Sequence, residues 1–158
     1  VLVKLDIICF ENDCNIHLSA IEFDFENRVK NNKFNCIINT KSVCFGRCNS
    51  IKYDDITILN LVLFSEFLRG IDEKNNIHIW TNEMRFELGI IQSMYNSCDL
   101  SCPWNPKNER DIETIITLYP EIKEKTPFHG NKYNPINVCE HQIEYFVKTY
   151  NKIKNSLN

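Results

Sequence analysis

The sequence predicts a single α/β domain with a mixed central sheet, three antiparallel strands at its start and flanking helices. Apolar, β-branched runs fill the first forty residues, helical periodicities dominate the remainder, and one short strand pattern interrupts those helices. The chain of 158 residues has room for one sizeable hydrophobic core. We therefore interpret residues 1–158 as one domain.

The first three strands are predicted from apolar runs that polar turns separate. Residues 1–10 form one run, residues 17–25 a second and residues 33–40 a third. Because short polar turns join antiparallel neighbours, these runs predict a three-stranded meander. Residues 42–52 show no period and contain a glycine, which predicts a loop.

The second half of the chain alternates helices with one short strand. Asp54 or Asp55 is placed to cap a helix that ends at Gly70, because the apolar residues between them recur every three and four positions. Residues 77–80 are β-branched and aromatic, which predicts a strand that lies parallel to the first one. Further helices are predicted at residues 86–95, 108–118 and 135–150, with a polar loop at 121–132.

Composition and charge argue against several classes of protein. No apolar run reaches the roughly 18 residues of a membrane-spanning helix, and the start of the sequence lacks a basic leader and a cleavage site. The net charge of -3 is unlike that of proteins that hold duplex DNA by neutralising its phosphates. The 21 Asn, 21 Ile and 13 Lys residues are typical of an AT-rich genome, which describes viruses and many parasites alike.

Eight cysteines raise the alternatives of disulfides, a zinc site and free thiols. The absence of a secretory leader predicts reduced thiols and an intracellular, cytoplasmic location. The pairs Cys44/Cys48 and Cys98/Cys102 have spacings that a four-thiolate zinc site allows, although neither has the common two-residue spacing. Buried or loop thiols are the preferred interpretation, since several of the other cysteines lie in apolar runs.

Four segments of the chain resemble, in order, the motifs of one nuclease family. They contain Asp6 in LDIIC, Trp80 in WTNEMRFELGII, Asp111 in PWNPKNERDIETI and Tyr133 in YNPINVCEHQIEYF. Together they resemble the ribonuclease H-like 3′–5′ exonucleases of the DEDDh type, in particular the small exoribonuclease family that includes phage exonucleases. In that family the segments read D-x-E, W-x-N-x-x-x-F-D, R-D-x-x-T and H-x-x-x-x-D.

The resemblance implies a ribonuclease H-like fold and a particular chemistry. In such enzymes four carboxylates hold two divalent ions, Mg²⁺ or Mn²⁺, about 4 Å apart, so that one ion activates water and the other stabilises the leaving oxygen. A histidine near the attacking water then serves as the general base. Positions two apart on a strand share a face, which is how a D-x-E motif presents two carboxylates together.

The first acidic positions of that family are only partly kept. Asp6 matches the first acid, but Ile8 stands where the second acid is expected. Glu87 stands where the family has an aspartate, which lengthens the side chain by one methylene. The first two motifs therefore supply two carboxylates, Asp6 and Glu87, where the family has three.

The closing motif departs further. Tyr133 stands at the position of the histidine, and Val138 stands at the position of the last acid. A tyrosine variant of the motif, Y-x-x-x-D, would place Asn137 at the acidic position instead. Neither alignment supplies a carboxylate, so no stable metal pair, no catalytic residue and no cofactor is predicted for this site.

Two functions follow from the resemblance. The first is a catalytically degenerate exonuclease-like module that binds protein or single-stranded RNA, with the acidic balance favouring protein. The alternative is an active metal-dependent 3′–5′ exoribonuclease with a reorganised site, in which Asp6 and Glu87, with Asp111 as a further candidate ligand, bind one Mg²⁺ or Mn²⁺ ion. No membrane and no small-molecule partner is expected. Candidate contacts to an RNA strand are Trp80, Asn82, Trp104, Arg110 and Asp111.

Overall fold

The computed structural model describes residues 1–10, 15–26, 28–39, 54–72 and 76–157. In these ranges a five-stranded sheet is accompanied by five α-helices. The elements, in chain order, are β1 Leu2–Phe10, β2 Asn15–Asp24, β3 Arg28–Asn39, α1 Asp55–Ile71, β4 His78–Thr81, α2 Met84–Ser97, β5 Glu109–Asp111, α3 Ile112–Ile116, α4 Pro120–Lys125 and α5 Pro135–Ser156.

The strands lie in the order β3-β2-β1-β4-β5. The β1–β2 and β2–β3 pairs are antiparallel, whereas the β1–β4 and β4–β5 pairs are parallel. The α/β class and the mixed sheet are thereby confirmed, as is the parallel pairing of the fourth strand with the first. The sheet has five strands, however, and not the predicted four. The additional strand is β5, at the edge of the sheet.

Three segments differ from the sequence-based prediction. Residues 109–111 pair with β4 instead of beginning a helix, and three residues are too few to show a strand period. Residues 121–125, predicted as the start of a polar loop, belong to α4, which begins at Pro120, where the missing N–H of proline costs nothing. The polar stretch that follows residue 27 belongs to β3, which pairs with β2 across a shift in register. The predicted loop at 42–52 lies outside the described residues.

Side-chain caps begin two of the longer helices, and the cap of α1 is one that the sequence predicts. The Asp54 side chain accepts a hydrogen bond from the Thr57 N–H at 2.8 Å, which satisfies a free donor at the start of α1. The side-chain hydroxyl of Thr57 and then its backbone N–H hold the pKa of Asp54 below its ordinary value, because both favour the charged carboxylate. The Asn134 side chain caps α5 in the same way by accepting from the Ile136 N–H at 3.0 Å.

Helices cover both faces of the sheet. Val3, Leu5 and Ile7 of β1 belong to the larger core cluster, with α1 and α2, while α3 and α5 supply the second cluster. Because side chains alternate along a strand, Lys4 and Asp6 share the face of β1 that lies beneath α5. Among the described helices, none combines the length and the apolar character that crossing a membrane requires.

Candidate functional site

A pocket of about 150 Å³ opens where β1 and β4 approach α2 and α5. It lies beyond the carboxyl end of β4, and the carboxyl ends of parallel strands are where open α/β sheets usually bind their ligands. We call it the acid pocket, and it is lined by Asp6, Ile7, Asn82, Glu83, Phe86, Glu87 and Gln142.

Asp6 lies on the floor of the acid pocket with 5% of its surface exposed. Its Oδ1 accepts a hydrogen bond from Gln142 Nε2 at 3.2 Å and lies 3.8 Å from Lys4 Nζ. Its Oδ2 is buried and has no hydrogen-bond partner among the described residues. Asp6 is therefore held by α5 and by its own strand, with one oxygen left to accept a further bond.

Lys4 brings a positive charge beneath this pocket. The residue is fully buried, and its ammonium group donates to the backbone carbonyl of Leu5 as well as pairing with Asp6. Its charge also favours the ionised form of Glu87. A buried lysine is rare unless it is paired, and here the ammonium is attracted to each of the two carboxylates.

Glu87 uses both carboxylate oxygens to accept backbone N–H groups. Oε1 accepts from Ile7 at 3.1 Å, while Oε2 accepts from Asn82 at 2.7 Å and from Glu83 at 2.8 Å. The first turn of a helix leaves such donors without intrahelical partners, and the Ile7 N–H lies beyond the last β1–β4 pair. Glu87 therefore joins β1 to the start of α2.

Burial raises the pKa of Glu87 above its ordinary value, and the repulsion from Asp6 acts in the same direction. Lys4 and the backbone N–H groups that Glu87 accepts oppose this shift, because they favour the carboxylate. The raised pKa means that desolvation outweighs these stabilising contacts.

α5 contributes Gln142 to the acid pocket in place of the residues predicted from the closing motif. Gln142 Oε1 is buried and unpartnered within the described ranges, whereas Nε2 binds Asp6. Val138 lies one helical turn before Gln142, is partly exposed, and does not line the pocket. Tyr133 precedes the helix with 64% of its surface exposed and also lies outside the lining. Ile8 occupies β1 two residues after Asp6, in register with His17.

The donors in the acid pocket do not fit a pair of divalent ions. Two such ions need several carboxylates, yet the described residues contain no group of three or more His, Cys, Asp or Glu side chains placed around one ion. Both Glu87 oxygens already accept backbone N–H groups, and Lys4 already supplies positive charge. Among the buried side-chain oxygens of the residues that line the pocket, Asp6 Oδ2 and Gln142 Oε1 have no partner in the described chain.

Two of the predicted RNA contacts lie near the acid pocket. Asn82 lines the pocket, and its Oδ1 accepts from the Tyr145 hydroxyl at 3.1 Å. Trp80 is half-buried and packs on Phe146 with ring centroids 4.7 Å apart. Phe86, at the edge of the pocket, is 52% exposed and is the aromatic ring that a ligand can reach there.

The other three predicted contacts have local structural roles. Trp104 is 4% exposed and donates its indole N–H to Glu109 at 2.8 Å, so the structure places it in the core, where no base can stack on it. Arg110 donates to backbone carbonyls of its own turn. Asp111 caps α3 by accepting from the Glu113 N–H at 2.9 Å. None of the three lines the acid pocket.

Lys4, beneath the acid pocket, and Gln142, in its lining, contact Asp6 and were not predicted from the sequence. Both leave a signal in the sequence. Lys4 lies two residues before Asp6 in an apolar strand and therefore on the same face. Gln142 is a polar residue on the apolar face of α5, three residues after Cys139 and next to Ile143.

Residues 47–150 match a family model described as the 3′–5′ exoribonuclease Rv2179c-like domain. The matched stretch covers more than half of the chain and includes the described elements from α1 to most of α5. β1, with Lys4 and Asp6, precedes it. Among curated proteins, none matches the chain.

The described residues include two of the four cysteines considered for a zinc site, Cys98 and Cys102. Cys98 and Cys102 are free thiols, and burial raises the pKa of Cys102 to about 12. Cys44 and Cys48 lie outside the described residues. Partial burial favours the neutral thiol of Cys102, and a neutral thiol binds metal poorly.

Proposed function

Because the chain belongs to the 3′–5′ exoribonuclease Rv2179c-like domain family, we propose that it is a catalytically degenerate exonuclease-like module that binds single-stranded RNA. The observation that carries this proposal is that the carboxylates of the acid pocket, Asp6 and Glu87, already have partners within the protein. Both carboxylate oxygens of Glu87 accept hydrogen bonds from backbone N–H groups, and the Lys4 ammonium lies 3.8 Å from Asp6. These contacts leave the pocket with too few free carboxylate oxygens, and too little negative charge, to bind two divalent ions.

The sheet supports the finer assignment to the ribonuclease H-like fold. Three antiparallel strands come first, and the fourth joins β1 in parallel after a crossover helix, as the resemblance of the motifs implies. The acid pocket then lies beside the first strand, where the family carries its first acid. This agreement supports a DEDDh-type ancestry with a changed site.

The partner proposed here is RNA, although net charge alone favours a protein. Family membership supports a nucleic-acid ligand, and Phe86 offers an exposed ring beside Asn82 at the pocket. Single-stranded RNA is commonly bound by stacking its bases on such rings, and unpaired bases also accept and donate hydrogen bonds to amides. We propose that the terminal nucleotide of an RNA strand binds at the acid pocket, beside Phe86 and Asn82.

One observation favours the alternative, an active exoribonuclease. Asp6 Oδ2 and Gln142 Oε1 are two oxygens without a partner in the described chain, and oxygen ligands suit Mg²⁺ or Mn²⁺. Asp6 and Gln142 would then hold a single ion. That ion would supply Lewis-acid chemistry, while Lys4 would oppose its binding by repulsion.

The deciding experiment compares the natural protein with Asp6→Ala on a 5′-labelled single-stranded RNA, with Mn²⁺ and with a chelator. The proposal expects no shortening that depends on both the metal and Asp6, and no rise in melting temperature on adding Mn²⁺. Shortening that requires both would establish the active alternative.

Binding is tested separately by the fluorescence anisotropy of the same RNA. Phe86→Ala should weaken binding about tenfold, since stacking on an aromatic ring contributes about 1–3 kcal/mol per base. Leu118→Ala removes an exposed apolar side chain that does not line the pocket and serves as the control. Equal affinity of the natural protein and Phe86→Ala would place RNA elsewhere on the molecule.

A further inference from the structure

A second cavity, of about 580 Å³, lies between α4 and the C-terminal half of α5. Its size suits a ligand larger than a single ion. We call it the lysine groove, because its polar lining includes Lys125, Thr126, Lys148, Asn151, Lys152 and Asn155.

The groove is built by helical spacing. Lys148, Asn151, Lys152 and Asn155 recur at intervals of three and four residues, so they lie along one face of α5. Lys125, the last residue of α4, lines the cavity from the other helix. Cationic side chains therefore approach the same space from two elements.

The charge of the groove is opposite in sign to that of the chain. Three lysines line it against a single carboxylate, that of Glu121, although the whole chain carries -3. Lys148 Nζ lies 2.7 Å from Glu144 and 3.4 Å from the Thr126 hydroxyl, which orients it.

The other two lysines of the groove are available to a ligand. Lys125 and Lys152 are exposed, and neither forms an ion pair with a carboxylate of the described residues. Lys152 Nζ lies 6.0 Å from the centre of the Tyr119 ring. A local excess of unpaired positive charge on an acidic protein favours an anionic ligand.

We propose that the lysine groove binds phosphodiester groups of a nucleic-acid single strand. Ammonium and amide groups donate hydrogen bonds to phosphate oxygens, and such contacts hold a strand without reading its bases. No aromatic side chain is among the residues that line the groove, so it offers no ring on which a base could stack. This inference rests on the proposed function, because it assumes that a strand reaches the protein.

The groove and the acid pocket are connected through α5. Lys148 follows Gln142 by six residues, which is about 9 Å along a helix axis. Between them, the Tyr145 hydroxyl donates to Asn82 of the acid pocket, while Lys123 of α4 lies 5.5 Å from the centre of the Tyr145 ring. α5 therefore contributes side chains to both the acid pocket and the lysine groove, at positions about 9 Å apart along its axis.

The test measures the affinity for a short labelled single-stranded RNA over a range of salt concentrations. Lys125→Gln with Lys152→Gln should weaken binding about tenfold near physiological salt. It should also reduce the slope of log affinity against log salt by about 1.4, since each phosphate contact of a single strand contributes about 0.7. Lys107→Gln with Lys154→Gln changes the net charge equally at exposed lysines outside the groove and is the control.

A DNA strand of the same sequence should lose the same factor, because the groove contacts phosphates and not the ribose hydroxyl. An unchanged slope, or an equal loss in the control pair, would overturn the groove assignment, as would a natural protein that binds neither strand at low salt. Cleavage and the Phe86→Ala variant report on the acid pocket alone. A failure of the groove and a failure of the proposed function are therefore distinguishable.

Discussion

The acid pocket and the lysine groove contain the same kinds of charged side chain in opposite environments. Beneath the acid pocket Lys4 is fully buried against Asp6, and in its lining Glu87 is bound by backbone N–H groups. In the groove Lys125 and Lys152 are exposed and unpaired with carboxylates of the described chain. The difference shows that burial decides whether a charge serves the fold or remains available to a ligand, because a buried charge must already have a partner.

The largest expected effect is that of removing the buried ammonium. Lys4→Met should lower the free energy of unfolding by about 3–5 kcal/mol, since it leaves two buried carboxylates without their cation. The control is Lys152→Met, which removes an exposed lysine and should change stability by less than about 0.5 kcal/mol. Urea unfolding measures the stability of both variants. Equally small losses would contradict the view that Lys4 stabilises the fold while Lys152 does not.

The next effect concerns the carboxylate that joins β1 to α2. Glu87→Gln at pH 7 should lower the free energy of unfolding by about 2–3 kcal/mol, because an amide nitrogen would face backbone donors that the carboxylate now accepts. Glu83→Gln changes an exposed neighbour whose side chain makes no capping bond. Equal stabilities of the two variants would mean that the Glu87 contacts do not hold the fold.

The raised pKa of Glu87 predicts how this difference varies with pH. A carboxyl group whose pKa is higher in the folded state binds protons more tightly there, so its contribution to stability falls as pH rises from about 4.5 through the raised value. Because the amide introduced by Glu87→Gln cannot titrate, the natural protein should gain stability relative to that variant as pH falls from 7 towards 4.5. Urea unfolding of both proteins across this range measures the difference, and a constant difference would rule out the raised pKa.

The smallest effect is expected in the lysine groove. Lys125→Gln with Lys152→Gln should leave the free energy of unfolding within about 0.5 kcal/mol, because exposed lysines contribute little to stability. Thermal unfolding of the double variant measures this directly. A large loss would mean that the groove lysines stabilise the packing of α4 on α5, which would remove the contrast with the acid pocket.

Sequence reasoning placed one part of the site and misplaced another. Asp6 and Glu87 were matched to family positions, and the structure brings both into one pocket. The closing motif pointed to Val138, yet Gln142, one turn further along α5, contacts Asp6. A motif spacing identifies the helix but not which of its turns meets the sheet, since that depends on how α5 packs across β1.

Trp104 shows the same limit for a single side chain. The sequence made it a candidate contact to an RNA strand, but the ring packs edge-on against Phe64 and Tyr95 in the larger core cluster. These three rings come from separate parts of the chain. The sequence alone does not show that these rings are in contact, because aromatic packing depends on how whole helices and strands are arranged.

The sequence by itself determined the elements whose residues interact with near neighbours. The meander of β1 to β3, the capped α1 and the long α5 follow from alternation, helical spacing and capping residues, which act within a few positions of the chain. Tertiary structure decided β5, which is a strand because β4 lies beside it. It also decided the role of Glu87, whose partner Ile7 lies 80 residues away. A carboxylate's role depends on the donors and charges that folding brings to it, and for Glu87 these come from β1 as well as from its own helix.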